Sequence, residues 1–286
     1  MVFFSFALFF AMILADAGYA ILLGLLLLWR WRGLGRSDVG LRFRRMGAAM
    51  LSASLLYGAL AGSWFGITPE SGSLVGAVHL LDMNDYDTMM RLSILIGCVH
   101  VGLANLEVAR HASTWPERAL PGGWIATILG GVMLWLGDAS LLALFTGSAL
   151  LTLGGILILG FGSQRPITSL RSGLLRLADG LIALTGVTKV FGDILSYLRL
   201  FALGLASGSL AFTFNQLAEQ VHASIPGPGL LFSILILFLG HTINLGLGIV
   251  SGVVHGLRLN FIEFFNWAVR EEGTPFHAFG KKETSP

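Results

Sequence analysis

The sequence has little charge and almost no cysteine, and both shortages narrow the classes of protein it can be. Charged residues make up 12% of the 286 residues, whereas hydrophobic residues make up 55%, and the mean hydropathy is +0.78. One water-soluble core cannot bury that much apolar surface, so the composition predicts an integral membrane protein. The only cysteine, Cys98, excludes an internal disulfide and a cysteine-based metal cluster.

Motifs of the common enzyme and nucleic-acid-binding classes are also missing. The sequence contains no phosphate-binding glycine loop, no nucleophile paired with a base and no basic patch suited to nucleic acid. We therefore expect this chain to have no catalytic residue, no cofactor, no metal site and no nucleic-acid partner.

Apolar segments of the length that a bilayer demands recur along the chain, and the 38 glycines suit close helix packing in lipid. They predict an all-α polytopic membrane helix bundle. The first segment is too long for an untilted span and is interrupted at Asp16 and Gly18, so it is either one tilted span or a hairpin, and periodicity alone favours the single span. The predicted segments are residues 2–29, 46–65, 92–109, 124–137, 141–161, 178–221 and 229–268.

The arginines predict which loops face the cytoplasm. Six of them crowd the loop 30–45, and three more precede residue 178, so both loops are predicted to be cytoplasmic. The charged residues of the loop 66–90 are all acidic, and this loop is predicted to be external. We divide the chain into N-terminal membrane helices at 1–176, two long helices at 177–269 and a cytoplasmic tail at 270–286.

The last two apolar segments are longer than a bilayer requires. Residues 178–221 would span roughly 66 Å at about 1.5 Å per residue, about twice a hydrocarbon core. Proline is absent from 167–225, so we expect long helices that are steeply inclined or bent at a glycine such as Gly192. The alternative is a tight hairpin within each segment. The PGPG at 226–229 marks a turn that makes the two helices antiparallel neighbours.

Basic side chains inside these segments need an explanation. An arginine at membrane depth costs at least about 3 kcal/mol, so it requires a partner or a water-filled cavity. Arg199 lies far from both ends of its segment, and the structural alternative to a functional role is an interhelical salt bridge or snorkelling. Asp193 is a poor partner, because six positions place it on another face. Arg258 lies nearer the cytoplasmic end, where snorkelling is a stronger alternative, and Lys189 is expected to snorkel.

Polar residues follow one stripe of the last long helix at alternating steps of three and four. Such a stripe on an apolar helix suits a proton or ion pathway. The alternative is a polar packing seam between helices. The stripe consists of His241, Asn244, Gly248, Ser251, His255 and Arg258.

Two further patterns lie on other helices. The small residues that follow Arg199, such as Gly204, Ser207 and Ala211, are predicted to let a partner helix approach closely. A carboxylate on that partner would be attracted to Arg199 and would release its proton or cation. On an earlier helix, His100 shares a face with Glu107 and His111, which favours a satisfied polar cluster at a helix end, with a second channel as the alternative.

Four stretches resemble the membrane domain of one family, the V-type and archaeal-type ATPase subunit called a or I. They are SYLRLFALGLA around Arg199, FFAMILADAGYAILL near the start, RLSILIGCVHVG, and VVHGLRLNFIEFFNWAVREEGTPFHAF at the end. The resemblance implies about eight membrane helices with both termini cytoplasmic, about six of them before residue 177. Residues 2–29 would then form two short crossings.

The resemblance also implies roles for individual residues. Arg199 would be the essential channel arginine, Arg258 a second arginine facing a rotor ring of membrane c/K-type subunits, and His255 a polar residue of the channel. We expect further channel lining from Ser196, Ser207, His241, Asn244 and Ser251. The chain would be the stator ion-channel subunit of a rotary ATPase, carrying protons or sodium ions through two half-channels, while other subunits hydrolyse ATP.

The resemblance is incomplete in three places. Members of the family have a long cytoplasmic arm before the first hairpin, so we expect the arm here to be a separate chain or to be missing by truncation. Some members carry a glutamate where Gly248 stands, and some carry a histidine where Ser207 stands. The acid that serves the half-channels is therefore unassigned.

A rival function and a set of partners complete the expectations. A self-contained secondary transporter of an anionic substrate would also use an intramembrane arginine, but it predicts inverted repeats that the sequence does not show. A purely structural anchor would need no conduction. The leading prediction places the chain in the inner membrane of a prokaryote, in contact with lipid, the rotor ring and arm or peripheral-stalk subunits.

Overall fold

The structure, a computed structural model, is built from helices. It describes residues 1–70, 72–73, 76–137, 140–163, 165 and 169–269, so the predicted tail at 270–286 lies outside the described residues. Within the described ranges, the chain forms helices and one isolated bridge between Trp64 and Ile67. The predicted all-α class is confirmed.

The α-helices are numbered from the N-terminus to the C-terminus. They are α1 (Val2–Leu14), α2 (Ala17–Leu34), α3 (Asp38–Leu60), α4 (Tyr86–His111), α5 (Trp115–Leu136), α6 (Leu141–Phe161), α7 (Leu170–Leu184), α8 (Gly186–Leu195), α9 (Leu198–Ser224), α10 (Gly229–Arg258), a π-helical segment (Leu259–Phe264) and α11 (Phe265–Ala268).

Several of these helices match the dimensions of a bilayer. Five stretches of the described chain are long and apolar enough to span a membrane, and α1 is a shorter apolar helix. The polytopic membrane bundle is thereby confirmed, whereas the count of eight crossings stays a prediction. The five stretches are Tyr86–His111, Trp115–Leu136, Leu141–Phe161, Arg171–Ser224 and Gly229–Ala268.

The chain begins with a helical hairpin. Ala15 adopts a left-handed conformation with φ of 46°, which ends α1, and Asp16 caps α2 by accepting a hydrogen bond from the Tyr19 backbone at 2.9 Å. The Asp16 carboxylate also accepts from the Ser63 hydroxyl and the Gly66 backbone. The single span that periodicity favoured is wrong, and the hairpin is confirmed.

Two predicted boundaries are wrong because hydropathy marks the lipid-embedded part of a helix rather than its ends. The arginine-rich loop 30–45 is mostly helical, since arginine is a good helix former, and only 35–37 separates α2 from α3. Likewise α5 begins at Trp115 rather than at residue 124. The start of α4 is capped by Asp85, whose pKa is held below its usual range by hydrogen bonds from the hydroxyl and the backbone of Thr88.

The long segment after residue 170 neither bends at Gly192 nor folds back as a hairpin. Gly192 lies inside α8. The helix tightens at Thr185 and again at Tyr197, where the backbone stays right-handed and amides bond three residues back. In sequence, α7 packs on α6, α8 on α4, and α9 on α1 and α10. Short 3₁₀-like turns are common connectors between helices. They do not change the apolar character of the segment, so hydropathy could not locate them.

The antiparallel pairing of α9 and α10 is confirmed, and α1 packs against both. Along α10, glycines take the places where α1 comes closest. A Cβ atom at Gly252 would lie 2.6 Å from the Phe10 ring, and one at Gly256 would lie 3.1 Å from the Phe6 ring. Nearly all of α1 from Phe6 to Leu14 is buried. This short helix therefore forms the centre of the bundle and supports α9 and α10 from behind.

Candidate functional site

The packing of α9 against α10 gathers the predicted site residues into two groups. The arginine cluster lies near the start of α9 and the end of α10, and the histidine–tyrosine network lies farther along the pair. Ser251 stands between them on α10, and Ser196 precedes the cluster, donating a hydrogen bond to the Gly192 carbonyl at 3.1 Å. The arginine cluster comprises Arg199, His255, Arg258 and Glu263, and the histidine–tyrosine network comprises Tyr19, Ser207, Asn215, His241 and Asn244.

Arg199 lies within electrostatic reach of one like charge and one opposite charge. Arg258 repels it and Glu263 attracts it. Its Nη1 atom is buried and has no hydrogen-bond partner among the described residues. An unpaired buried guanidinium nitrogen is costly, so the hydrogen-bonding capacity of Arg199 is incompletely used within the described residues.

Arg258 and Glu263 form a loose ion pair with very unequal exposure. The Arg258 Nε atom lies 3.9 Å from the Glu263 Oε1 atom, too far for a hydrogen bond. The arginine side chain is 50% exposed, whereas the glutamate side chain is 2% exposed. The Glu263 Oε2 atom is buried and has no partner within the described ranges. Arg258 can thus face another molecule while Glu263 is enclosed.

His255 completes the cluster. It lies one turn before Arg258 on α10 and feels the positive charge of both Arg199 and Arg258. Its Nδ1 atom is buried without a partner in the described part of the chain. Three predicted residues, Arg199, His255 and Arg258, therefore lie together, and their polar atoms are incompletely paired.

Glu263 was not predicted from the sequence, because in a regular α-helix it would lie away from the polar stripe. In an α-helix, the fifth residue after Arg258 is rotated by about 140°, away from the polar stripe. The segment from Leu259 to Phe264 is π-helical instead, and its wider turn returns the fifth residue to about the same side. The available signal was an acidic residue inside the apolar run NFIEFF.

The histidine–tyrosine network is connected and paired. The Asn215 side-chain oxygen accepts from His241 Nε2 at 2.9 Å, so His241 Nδ1 accepts from the Tyr19 hydroxyl at 2.7 Å. Asn244 Nδ2 donates to the Tyr19 hydroxyl and to the Ser207 carbonyl, and its oxygen accepts from the Ser207 hydroxyl. The hydrogen bonds run in one direction, from Asn244 through Tyr19 and His241 to Asn215.

The polar stripe of α10 therefore divides into two parts. Asn244 and Gly248 are buried between α10, α9 and the N-terminal hairpin, which matches the packing-seam alternative. Ser251, His255 and Arg258 are partly or fully exposed. A single stripe in sequence thus serves a packed region and an accessible one.

Two secondary predictions agree with the structure only in part. The small residues after Arg199 are mostly used inside the chain, since Gly204 contacts α1 and Ala211 contacts Gly66, so they are not free for a partner helix. At the end of α4, His111 Nδ1 lies 3.6 Å from Glu107 Oε1, as predicted, but His100 does not join this pair. Its Nδ1 atom lies 2.6 Å from the Tyr197 hydroxyl, and its ring stacks on Phe264. Aromatic neighbours from distant segments decided its place.

Comparison with known proteins gives a consistent picture. No family model matches the chain. The V-type ATP synthase subunit I of Chlamydia pneumoniae is 29% identical over 98% of this chain and 50% of its own length. The V-type ATP synthase subunit I of Chlamydia muridarum is 32% identical over 73% of this chain and 30% of its own length.

A third relative comes from an archaeon. The A-type ATP synthase subunit I of Methanocaldococcus jannaschii is 27% identical over 96% of this chain and 44% of its own length. The chain spans half or less of the length of these relatives. Since the matches to both the V-type and the A-type proteins cover most of it, the chain belongs to the subunit I family of V-type and A-type ATP synthases.

Proposed function

We propose that this chain is the stator ion-channel subunit of a rotary V/A-type ATPase and is not itself catalytic. It carries protons or sodium ions through two offset half-channels at its interface with a rotor ring of membrane subunits. Its other partners are lipid and the arm or peripheral-stalk subunits, and its location is the inner membrane of a prokaryote. The names of its relatives, all subunits of ATP synthases, support an assignment to such a complex.

The buried Arg199 nitrogen that has no partner among the described residues carries the proposal. A guanidinium with an unused donor attracts a carboxylate that passes in front of it, and the ion pair favours the ionised form of that carboxylate. A ring carboxylate would then release its proton or cation before passing Arg199. The same charge opposes a direct leak of cations between the half-channels, and the half-exposed Arg258 assists.

The histidine–tyrosine network supplies the second part of the path. The Tyr19 hydroxyl and the His241 imidazole each both donate and accept a hydrogen bond, which is the requirement for a proton relay. Seventeen positions along α10 separate His241 from Arg258, or about 25 Å. Two polar regions this far apart along one helix suit half-channels that open toward opposite sides of a membrane.

ATP-driven ion uptake by vesicles that contain the assembled complex tests the proposal. We expect Arg199→Ala to abolish uptake while the complex assembles and still hydrolyses ATP. Arg91→Ala is the matched control, because Arg91 is an exposed arginine paired with Asp87 at the start of α4, and it should pump normally. Coupled uptake retained in Arg199→Ala would contradict the proposal and leave the anchor function standing.

A further inference from the structure

Glu263 is a buried acid that the proposed channel function leaves without a task. Its neighbours are Arg199, Arg258 and Asp193, and one of its oxygens has no partner in the described part of the chain. We infer that Glu263 is a positioning residue, whose negative charge keeps the two guanidiniums together on the face that meets the rotor ring. This inference rests on the proposed function and adds a residue to it.

The arginine cluster holds two like charges close together. Arg199 and Arg258 repel each other, and His255 adds a third group that titrates beside them. Like charges in a medium of low dielectric cannot be held together without an opposite charge. Asp193 does not fill that place as directly, because its Oδ2 atom accepts a hydrogen bond from the Trp267 ring nitrogen at 2.7 Å. Glu263 is the acid that pairs with Arg258 and attracts Arg199.

The helix geometry after Arg258 places Glu263 beside the arginines. The π-helical segment from Leu259 to Phe264 follows Arg258 directly and turns Glu263 onto the arginine side. Single π-helical turns inside α-helices are rare and are often found at functional sites. The segment is also anchored, since Asn260 is buried and accepts a hydrogen bond from the Ser5 hydroxyl of α1 at 2.5 Å. The contact of Asn260 with α1 therefore holds in place the backbone segment that carries Glu263.

The charges of the arginine cluster do not cancel. One carboxylate among two guanidiniums leaves a net positive charge, so the cluster still attracts a ring carboxylate. Arg199 Nη1 and Glu263 Oε2 both lack partners among the described residues, and an ion pair between them would satisfy both atoms. A ring carboxylate that binds Arg199 would compete with Glu263, and Glu263 would keep its contact with Arg258. No ion pair joins Arg199 to Glu263 in the described part of the chain, so Glu263 attracts Arg199 while leaving it available to a ring carboxylate.

A double-mutant cycle in the assembled complex tests this role. The variants are Glu263→Gln, Arg258→Gln and the double variant, with Glu219→Gln as the control, since Glu219 is an exposed acid on α9. ATP-driven uptake is measured relative to ATP hydrolysis. We expect Glu263→Gln to lower coupled uptake about tenfold in the native background and less than about twofold in the Arg258→Gln background, because the two residues act as a unit.

Each outcome decides the inference. Uptake by Glu263→Gln at the level of Glu219→Gln would overturn it, and so would an equal loss in both backgrounds, which would mark Glu263 as an independent proton carrier. If Glu263→Gln alone fails to assemble, the double variant must assemble, because it removes one charge of each sign. Failure of both would also overturn the inference. Normal pumping by Arg199→Ala would refute the channel function itself, a result distinct from any of these.

Discussion

The arginine cluster and the histidine–tyrosine network are built on the same two helices and differ in how completely their polar atoms are paired. In the network, Tyr19, His241 and Asn244 satisfy one another through hydrogen bonds. In the cluster, one nitrogen of Arg199 and one oxygen of Glu263 are buried without partners among the described residues. A paired group stabilises the fold, whereas unpaired charge is kept at the expense of stability and retains the capacity to act on another molecule.

This difference separates two kinds of intramembrane polar residue that look alike in a sequence. Asn244 and Arg258 both interrupt an apolar helix, and both belong to one stripe. Asn244 is fully buried and donates two hydrogen bonds, while Arg258 is half-exposed and forms a loose pair. Substitutions that leave polar atoms of the network unpaired should therefore lower stability, whereas substitutions in the cluster should act mainly on transport.

The largest effect on stability is expected for Asn244→Leu. This change leaves the Ser207 hydroxyl without its acceptor and the Tyr19 hydroxyl without a donor, and we expect it to lower the free energy of unfolding by about 3 kcal/mol. Thermal unfolding of the purified protein in detergent measures it. The control is Thr242→Val, because Thr242 is exposed and bonds to its own helix at the Phe238 carbonyl. Equal melting temperatures for the two variants would contradict the comparison.

A smaller loss is expected for Tyr19→Phe. Removing one hydroxyl breaks the hydrogen bonds to His241 and Asn244 but leaves the ring in place, so we expect a loss of about 2 kcal/mol. Tyr86→Phe is the matched control, since Tyr86 is exposed at the start of α4. A melting temperature for Tyr19→Phe that matches this control would show that the network contributes little.

The smallest effect on stability is expected in the cluster, for His255→Leu. The His255 Nδ1 atom is buried and has no partner in the part of the chain that the structure describes. An apolar side chain of similar size should therefore leave the free energy of unfolding within about 0.5 kcal/mol of the native value. Ion uptake by the same variant should fall. If His255→Leu instead destabilised the protein as much as Asn244→Leu, the distinction between the two regions would be lost.

The sequence predicted the helical class from hydropathy and the antiparallel pair from the turn at 226–229, and the family resemblance gave Arg199, His255 and Arg258 a shared role. The sequence did not predict Glu263, since that acid joins the cluster only through a change from α-helical to π-helical geometry. Steps along a regular helix cannot reveal such a change.

Contacts between distant segments account for the other differences. The partner of His241 is Tyr19, more than two hundred positions earlier, and the partner of His100 is Tyr197. Neither pair has a local signal in the sequence. The hairpin at Asp16 shows the same limit, because the carboxylate is held by Ser63 and Gly66 from the loop after α3 as well as by its own helix.

The contact between α1 and α10 has a mechanical consequence. Phe6 and Phe10 are one helical turn apart, and each ring occupies the notch left by a glycine, at Gly256 and Gly252. A shift of α10 by one residue, about 1.5 Å, would push a bulkier side chain against a ring, and the next notch is about 6 Å away. The two rings therefore resist sliding of α10 along α1. A sideways force on α10 would therefore pass into the centre of the bundle without moving the helix along its axis.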